Sequence, residues 1–309
     1  MNSNTAAQAV RALAALAVVL PVLAMPASGH AQPAQAAPPR PPAPAAAPAP
    51  ALLHTAPIRA SYAAFIAGMR VLELEAEFVL HPTRYEVITT FRTAGMLAAF
   101  VDGEQTSRVV GQAVPQLAGP ATLLPERYTM EGVWRGNTRR ITLEYENRLP
   151  LVRALEPPNE SEREPVPAAL QRDTVDTLTA LAGLTRAVAE TGRCEGTANT
   201  FDGRRRTDFQ ASTVGQETLA PNARGIFAGA ALACRFEGRQ VAGFDNRRDR
   251  AESARPREGR AWMARMIADA PPIPVRLEAD SGFLGTVTIY LTKVEPGAPR
   301  TALGRQAAN

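Results

Sequence analysis

Residues 194–212, CEGTANTFDGRRRTDFQAS, together with ALAC at 231–234, decide how this chain folds, because they hold its only two cysteines and its most strongly marked turn. Asp202-Gly203 is a tight-turn pair: glycine reaches positive φ without a Cβ clash, and aspartate hydrogen-bonds the backbone just beyond itself. TANTF enters this turn and RRRTDFQAST leaves it, each with strand-forming β-branched or aromatic residues. The stretch predicts a hairpin lying beside a further strand, ALACRFEG at 231–238. Cys194 and Cys234 allow one intramolecular pairing. Closing a loop of that length removes about 3–4 kcal/mol of unfolded-state entropy. A structural disulfide is the expectation; two buried thiols, or a redox or metal pair, are the alternatives. There is no CxxC spacing, and His54 and His81 are far away in sequence.

Working outward, strand signals continue on both sides. IRASYAAFIAG from Ile58, VLELEAEFVL from Val71 and RYEVITTFRTAG from Arg84 read as three strands of an antiparallel meander, with His81-Pro82-Thr83 as a turn. GMLAAFVDG fits a short helix or a strand. RYTMEGVWR and TRRITLEYE form a hairpin around Gly136-Asn137, with Ile141, Leu143 and Tyr145 on one face. Trp134 is a core or barrel-lining residue, or alternatively a stacking platform for a ligand. Residues 149–172 read as a long polar loop, a connector or a lid. One long helix follows, capped by Asp173 or Thr174 and ending at Gly192. The arginine-rich run from Asn246 reads as a solvated loop entering a short helix. IPVRLEAD and GTVTIYLTKVE close the chain as a hairpin around Ser281-Gly282.

The ends have other compositions. Residues 1–31 fit a secretory signal: Arg11, an apolar run over 12–25 interrupted by Pro21, and small residues Gly29 and Ala31 before the cut. Residues 32–53 are a Pro/Ala-rich linker, and 296–309 a disordered tail. One β-rich domain over 54–295 remains, exported to the periplasm and carrying no transmembrane anchor once the signal is removed. There are 34 Lys and Arg against 30 Asp and Glu, interleaved, so no concentrated cationic surface is set up for nucleic acid.

Chemistry is sparsely supplied. There is no GxSxG, no HExxH, no phosphate-binding loop and no dinucleotide turn, and the histidines are His30, His54 and His81 alone. No catalytic residue, metal ligand or cofactor follows from the sequence. Asp102, Asp202, Asp208 and Glu217 are the noticeable acids, and acid–base work would need two of them held close together.

The Tyr62 strand, YEVITTFRTAGMLAAF at 85–100, the helix after Asp173, the FDGRRRTDF turn and the terminal hairpin occur in an order that resembles the bacterial envelope family called domain of unknown function 3108. The resemblance runs over about Ile58–Glu295. It implies an exported protein with a curled antiparallel β architecture and no settled enzymatic role. It assigns a turn role to Asp202 and Gly203 and a closing-strand role to Pro274, Arg276 and Glu278, and no catalytic role to any residue.

The fold expected is mainly β: a curled antiparallel sheet, spiral or incomplete barrel, covered by one helix. The expected function is non-catalytic envelope maintenance, with a lipid or other apolar ligand held in a cavity lined from Phe91, Trp134, Ile141 and Phe209. A protein–protein scaffold, using an open strand edge or the Arg247–Arg260 segment against an envelope partner, is a second reading. A periplasmic enzyme acting on lipid or polymer is a third.

Overall fold

A computed structural model describes residues 57–159, 162–280 and 285–297; the signal, the linker, the Ser281-Gly282 turn and residues 298–309 lie outside the described residues. The chain forms one 13-stranded sheet. Its first half is a meander of β1 (Ile58–Ile66), β2 (Met69–Leu80), β3 (Arg84–Thr93), β4 (Gly103–Val114), β5 (Thr122–Trp134), β6 (Asn137–Glu146) and β7 (Leu149–Glu156). The second half runs through β8 (Gly196–Phe201), β9 (Arg206–Leu219), β10 (Gly229–Ala242), β11 (Arg257–Ala264), β12 (Ile273–Asp280) and β13 (Thr286–Pro296). Among the described residues four helices interrupt the strands: α1 (Gly95–Ala98), α2 (Ala168–Gln171), α3 (Thr177–Thr191) and α4 (Arg250–Ser253). Of these α3 alone exceeds four residues.

The two meanders are stitched at the middle. β1 pairs with β13, Ile58 opposite Pro296 and Ile66 opposite Val287, so the sheet runs β7 to β1 and then β13 to β8. Pro296, assigned to the tail by composition, is thus the last residue of β13. Every neighbouring pair is antiparallel, and 13 is odd, so the edge strands β7 and β8 run in the same sense. A last pair closing the barrel would have to be parallel. Parallel neighbours need a long crossover, usually helical, and α3 lies in the connection between these edges. A parallel bridge from Val175 to Thr200 brings the approach to α3 alongside β8.

The sequence pattern explains the strands. In β4, Gly103, Ser107, Val109, Gly111 and Ala113 are buried and alternate with more open positions, the period of two of a sheet with one covered face. Phe78, Val87, Val109, Leu143 and Leu291 are fully buried in the main core. The predicted hairpin at Asp202-Gly203 joins β8 to β9, and β10 lies beside it as expected. Gly203 has φ 86° and packs where a Cβ would lie 2.7 Å from Ile141 Cγ2, so glycine is required there twice over.

Three expectations are corrected. LPLVRALE, expected as the start of a polar loop, is edge strand β7; Pro150 is tolerated there because an edge offers a position whose N–H is not needed. REGRAWMA, expected as loop and helix, is β11, with Ala261, Trp262 and Met263 buried. The long helix is capped by Asp176, and Asp173 (φ 58°) instead makes an ion pair with Arg148.

Candidate functional site

A cavity of about 870 Å³ lies under α3, towards the upper end of the range for small-molecule clefts. α3 contributes Leu178, Leu181, Gly183, Leu184 and Ala187. Opposite are Leu123 and Leu124 from β5, Tyr145 from β6, Phe209 from β9, Phe236 from β10 and Leu277 from β12. Exposed polar residues form the rim, among them Gln112, Asn147, Arg148, Asp173, Glu195 and Gln210.

The position of α3 follows from its polar residues. Asp176 is fully buried at its N-cap; its carboxylate accepts from Thr179 N at 2.9 Å and from Thr179 Oγ1 at 2.6 Å. Tyr85 Oη shares a 2.7 Å hydrogen bond with the same threonine hydroxyl. Tyr85 crosses β4 at Gly111, where a Cβ would meet its ring at 2.6 Å. Burial pushes the Asp176 carboxyl up to about 6, against the opposing pull of the Thr179 hydrogen bonds. At the other end Arg186, 3% exposed, donates to His81 O and Pro82 O, both at 3.0 Å, and pairs with Glu190 at 2.7 Å. Glu190 also accepts from Ala121 N. Gly192, in the left-handed conformation, ends the helix, and its N–H caps Val188 O.

These anchors tie α3 to the first meander. To the second it is tied covalently: Cys194, three residues past the helix end, is disulfide-bonded to Cys234 on β10, with Cα atoms 5.8 Å apart. Val188, Leu184, Phe236 and Leu277 pack around this bridge. The helix therefore spans the seam between the two half-sheets, with the cavity beneath it.

Of the residues expected to line a cavity, Phe209 is on its wall. Phe91 and Trp134 pack edge to face, ring centres 6.5 Å apart, in a separate cluster with Val101. Ile141 is in the main core beneath the Gly203 turn. Ile141 is displaced along its strand by four residues from Tyr145, and Trp134 by eight from Glu126, or roughly 13 and 26 Å at about 3.3 Å per residue. Asp176, Arg186 and Gly183 were not singled out from the sequence; an aspartate three residues before a threonine at a helix start was the available signal for the first.

The four noticeable acids have separate engagements. Asp202 accepts from the N–H groups of Arg204 and Arg205 and pairs with the Arg205 side chain at 2.7 Å; burial pushes its carboxyl up, but these partners hold it below the ordinary value. Asp208 pairs with Arg206. Glu217 accepts from Trp262 Nε1 at 2.8 Å and pairs with Arg260. Asp102 is exposed, and its backbone carbonyl accepts from Arg135 N. Arg204, expected to flank the turn, is buried and reaches Pro157 O at 2.7 Å and Asn159, fastening the connection after β7. His81 is a turn residue near Thr83. Among the described residues there is no group of three His, Cys, Asp or Glu placed to hold a metal, and no helix long and apolar enough to cross a membrane.

Among curated proteins none matches this sequence. The structure is similar to the crystal structure of a beta-barrel-like protein of domain of unknown function DUF1849 from Brucella abortus, at 12% identity and a TM-score of 0.48, covering 80% of this chain and 100% of that one. A family model described as a protein of unknown function, DUF3108, matches residues 58–292, and the chain belongs to that family.

Proposed function

We propose that this protein binds an apolar molecule in the cavity under α3 and does no chemistry on it, acting in the periplasm in maintenance of the cell envelope. The observation that carries the reading is the cavity itself: about 870 Å³, walled by leucines, phenylalanines and a helix face, with its charged groups at the rim. An apolar cleft of this kind is filled most favourably by apolar surface withdrawn from water, at about 25 cal/mol per Å². The pairing of Asp202, Asp208 and Glu217 with their own arginine partners favours binding over acid–base catalysis.

Gly183 supplies the test. It lies on the cavity side of α3, and the nearest atom a Cβ would meet is Leu123 Cδ1 at 4.0 Å. Gly183→Leu places a large side chain in the cavity and raises helix propensity by about 0.5–1 kcal/mol. Native mass spectrometry of protein purified from periplasm, before and after lipid extraction, is expected to show an extractable excess mass on the natural chain. The same mass should be reduced or lost in a stably folded Gly183→Leu variant. An equal load on both proteins, or bare natural protein, would refute cavity binding.

A further inference from the structure

We infer that the cavity selects uncharged acyl compounds, holding an ester or amide carbonyl at the Tyr145 hydroxyl and rejecting anionic lipids such as free fatty acids. This rests on the proposed reading of the cavity as a binding site, and it adds the chemical class of the occupant.

Tyr145 belongs to the cavity wall. Its Oη is shielded from water and has no hydrogen-bond partner among the described residues. A buried hydroxyl without a partner is costly, and native proteins rarely leave one so. The groups around it are already committed: Tyr85 Oη to Thr179, and Thr179 Oγ1 to Asp176. Burial, with Asp176, Tyr85 and Tyr128 acting in the same direction, raises the Tyr145 phenol well above its ordinary value, so it stays protonated and can donate. A partner for it must bring an acceptor into apolar surroundings, and a carbonyl carried on an acyl chain does so.

The charges around the cavity exclude the anionic alternative. Among the described residues its lining holds four charged side chains: Arg148, Glu126, Asp173 and Glu195. The arginine's side chain is paired with Asp173 at 3.0 Å. Glu126 is held by Gln112 at 2.7 Å and by Arg84 at 3.6 Å. Glu195 is paired with Arg193, and it also accepts from Thr213 Oγ1 at 2.9 Å. An entering carboxylate or phosphate would lose its hydration with no unpaired cation among the described lining residues to offset the cost, since the arginine and each carboxylate there already have partners. An uncharged ester meets none of that cost.

The test is displacement of N-phenyl-1-naphthylamine, an uncharged apolar dye, from the intact mature protein at pH 8. 1-Monopalmitoylglycerol is expected to displace it at least tenfold more tightly than palmitate. Tyr145→Phe should weaken 1-monopalmitoylglycerol about three- to tenfold, the range of one neutral hydrogen bond. The same variant should keep the dye affinity and lose no thermal stability, because the hydroxyl removed has no partner within the protein. Palmitate binding as tightly as the glyceride, an unchanged glyceride affinity in Tyr145→Phe, or dye that neither lipid displaces would each overturn the inference while leaving cavity binding intact. Dye that fails to bind the natural chain, or binds Gly183→Leu equally well, would overturn cavity binding itself and the inference with it.

Discussion

Asp176 is the residue on which the helix, the cavity and the interior meet, and its environment gives a signed pH dependence. Its carboxyl titrates near 3.8 in an unfolded chain and at about 6 when folded. The folded state thus binds the proton more tightly, so this contribution to stability is complete below pH ~4 and is lost as pH rises through 6. The difference is about 3 kcal/mol at 1.36 kcal/mol per pH unit. Asn caps helices as well as Asp does. Asp176→Asn is therefore expected to raise stability at pH 7 by up to ~3 kcal/mol and to leave it little changed at pH 4. Urea unfolding of both proteins at the two pH values checks this, and a difference that is the same at both would refute it. The comparison must be between the two proteins, because Glu195, held near 2 by Arg193, contributes with the opposite sign as pH falls.

At the scale of elements, α3 stays in place through contacts a hydrophobic pattern does not reveal. Arg186 is a buried cation whose guanidinium satisfies two carbonyls of the β2–β3 turn and one carboxylate of its own helix. Arg186→Met keeps much of the volume and strands those acceptors. It should destabilise by about 2–4 kcal/mol and raise hydrogen exchange across residues 182–191 more than in β4. A urea midpoint equal to that of the natural chain would refute the anchoring role. The period of two grouped Ile141, Leu143 and Tyr145 on one face of their strand but did not say which face points inward, since a one-residue shift reverses it; Ile141 and Leu143 are buried, and so is Thr142 between them. Depth along the strand was not legible, because it depends on stagger between strands and on where the crossover helix lands. Phe91 and Trp134, expected to line the cavity, pack in a separate cluster away from it for that reason. β7 was hidden by Pro150 and the prolines that follow it, and β11 by its arginines, residues that composition reads as loop but that edge positions and outward faces accept. The cap, placed at Asp173 or Thr174, was misplaced by two or three residues because these and Asp176 offer the same chemistry within one turn; Asp173 pairs with Arg148, and Asp176 accepts from Thr179 N.

Across the whole molecule, an odd number of antiparallel strands makes the seam unavoidable, and the seam is where the helix and the cavity are found. The disulfide hairpin, the glycine turn and the terminal hairpin were each readable locally; the pairing of β1 with β13 was not, since nothing near Ile58 or Thr286 in sequence announces a partner more than 200 residues away. Deleting residues 286–297 is expected to remove the cooperative unfolding transition of the entire domain, followed by circular dichroism on heating. It takes a strand from the middle of the sheet, not from its edge. A retained transition with half the amplitude would show instead that β1–β7 folds alone.

The β1–β13 pair also imposes an order in time. On a chain made from its N-terminus, the open edge of β1 exists from the first moments and waits until the final strand has emerged. Contacts of such long sequence separation form slowly, and unpaired edges are sticky while they wait. The growing chain is thus obliged to spend its whole synthesis with a bare edge at what will become its centre. Any holding factor that recognises extended, unpaired backbone would find its longest-lived target at Ile58–Ile66.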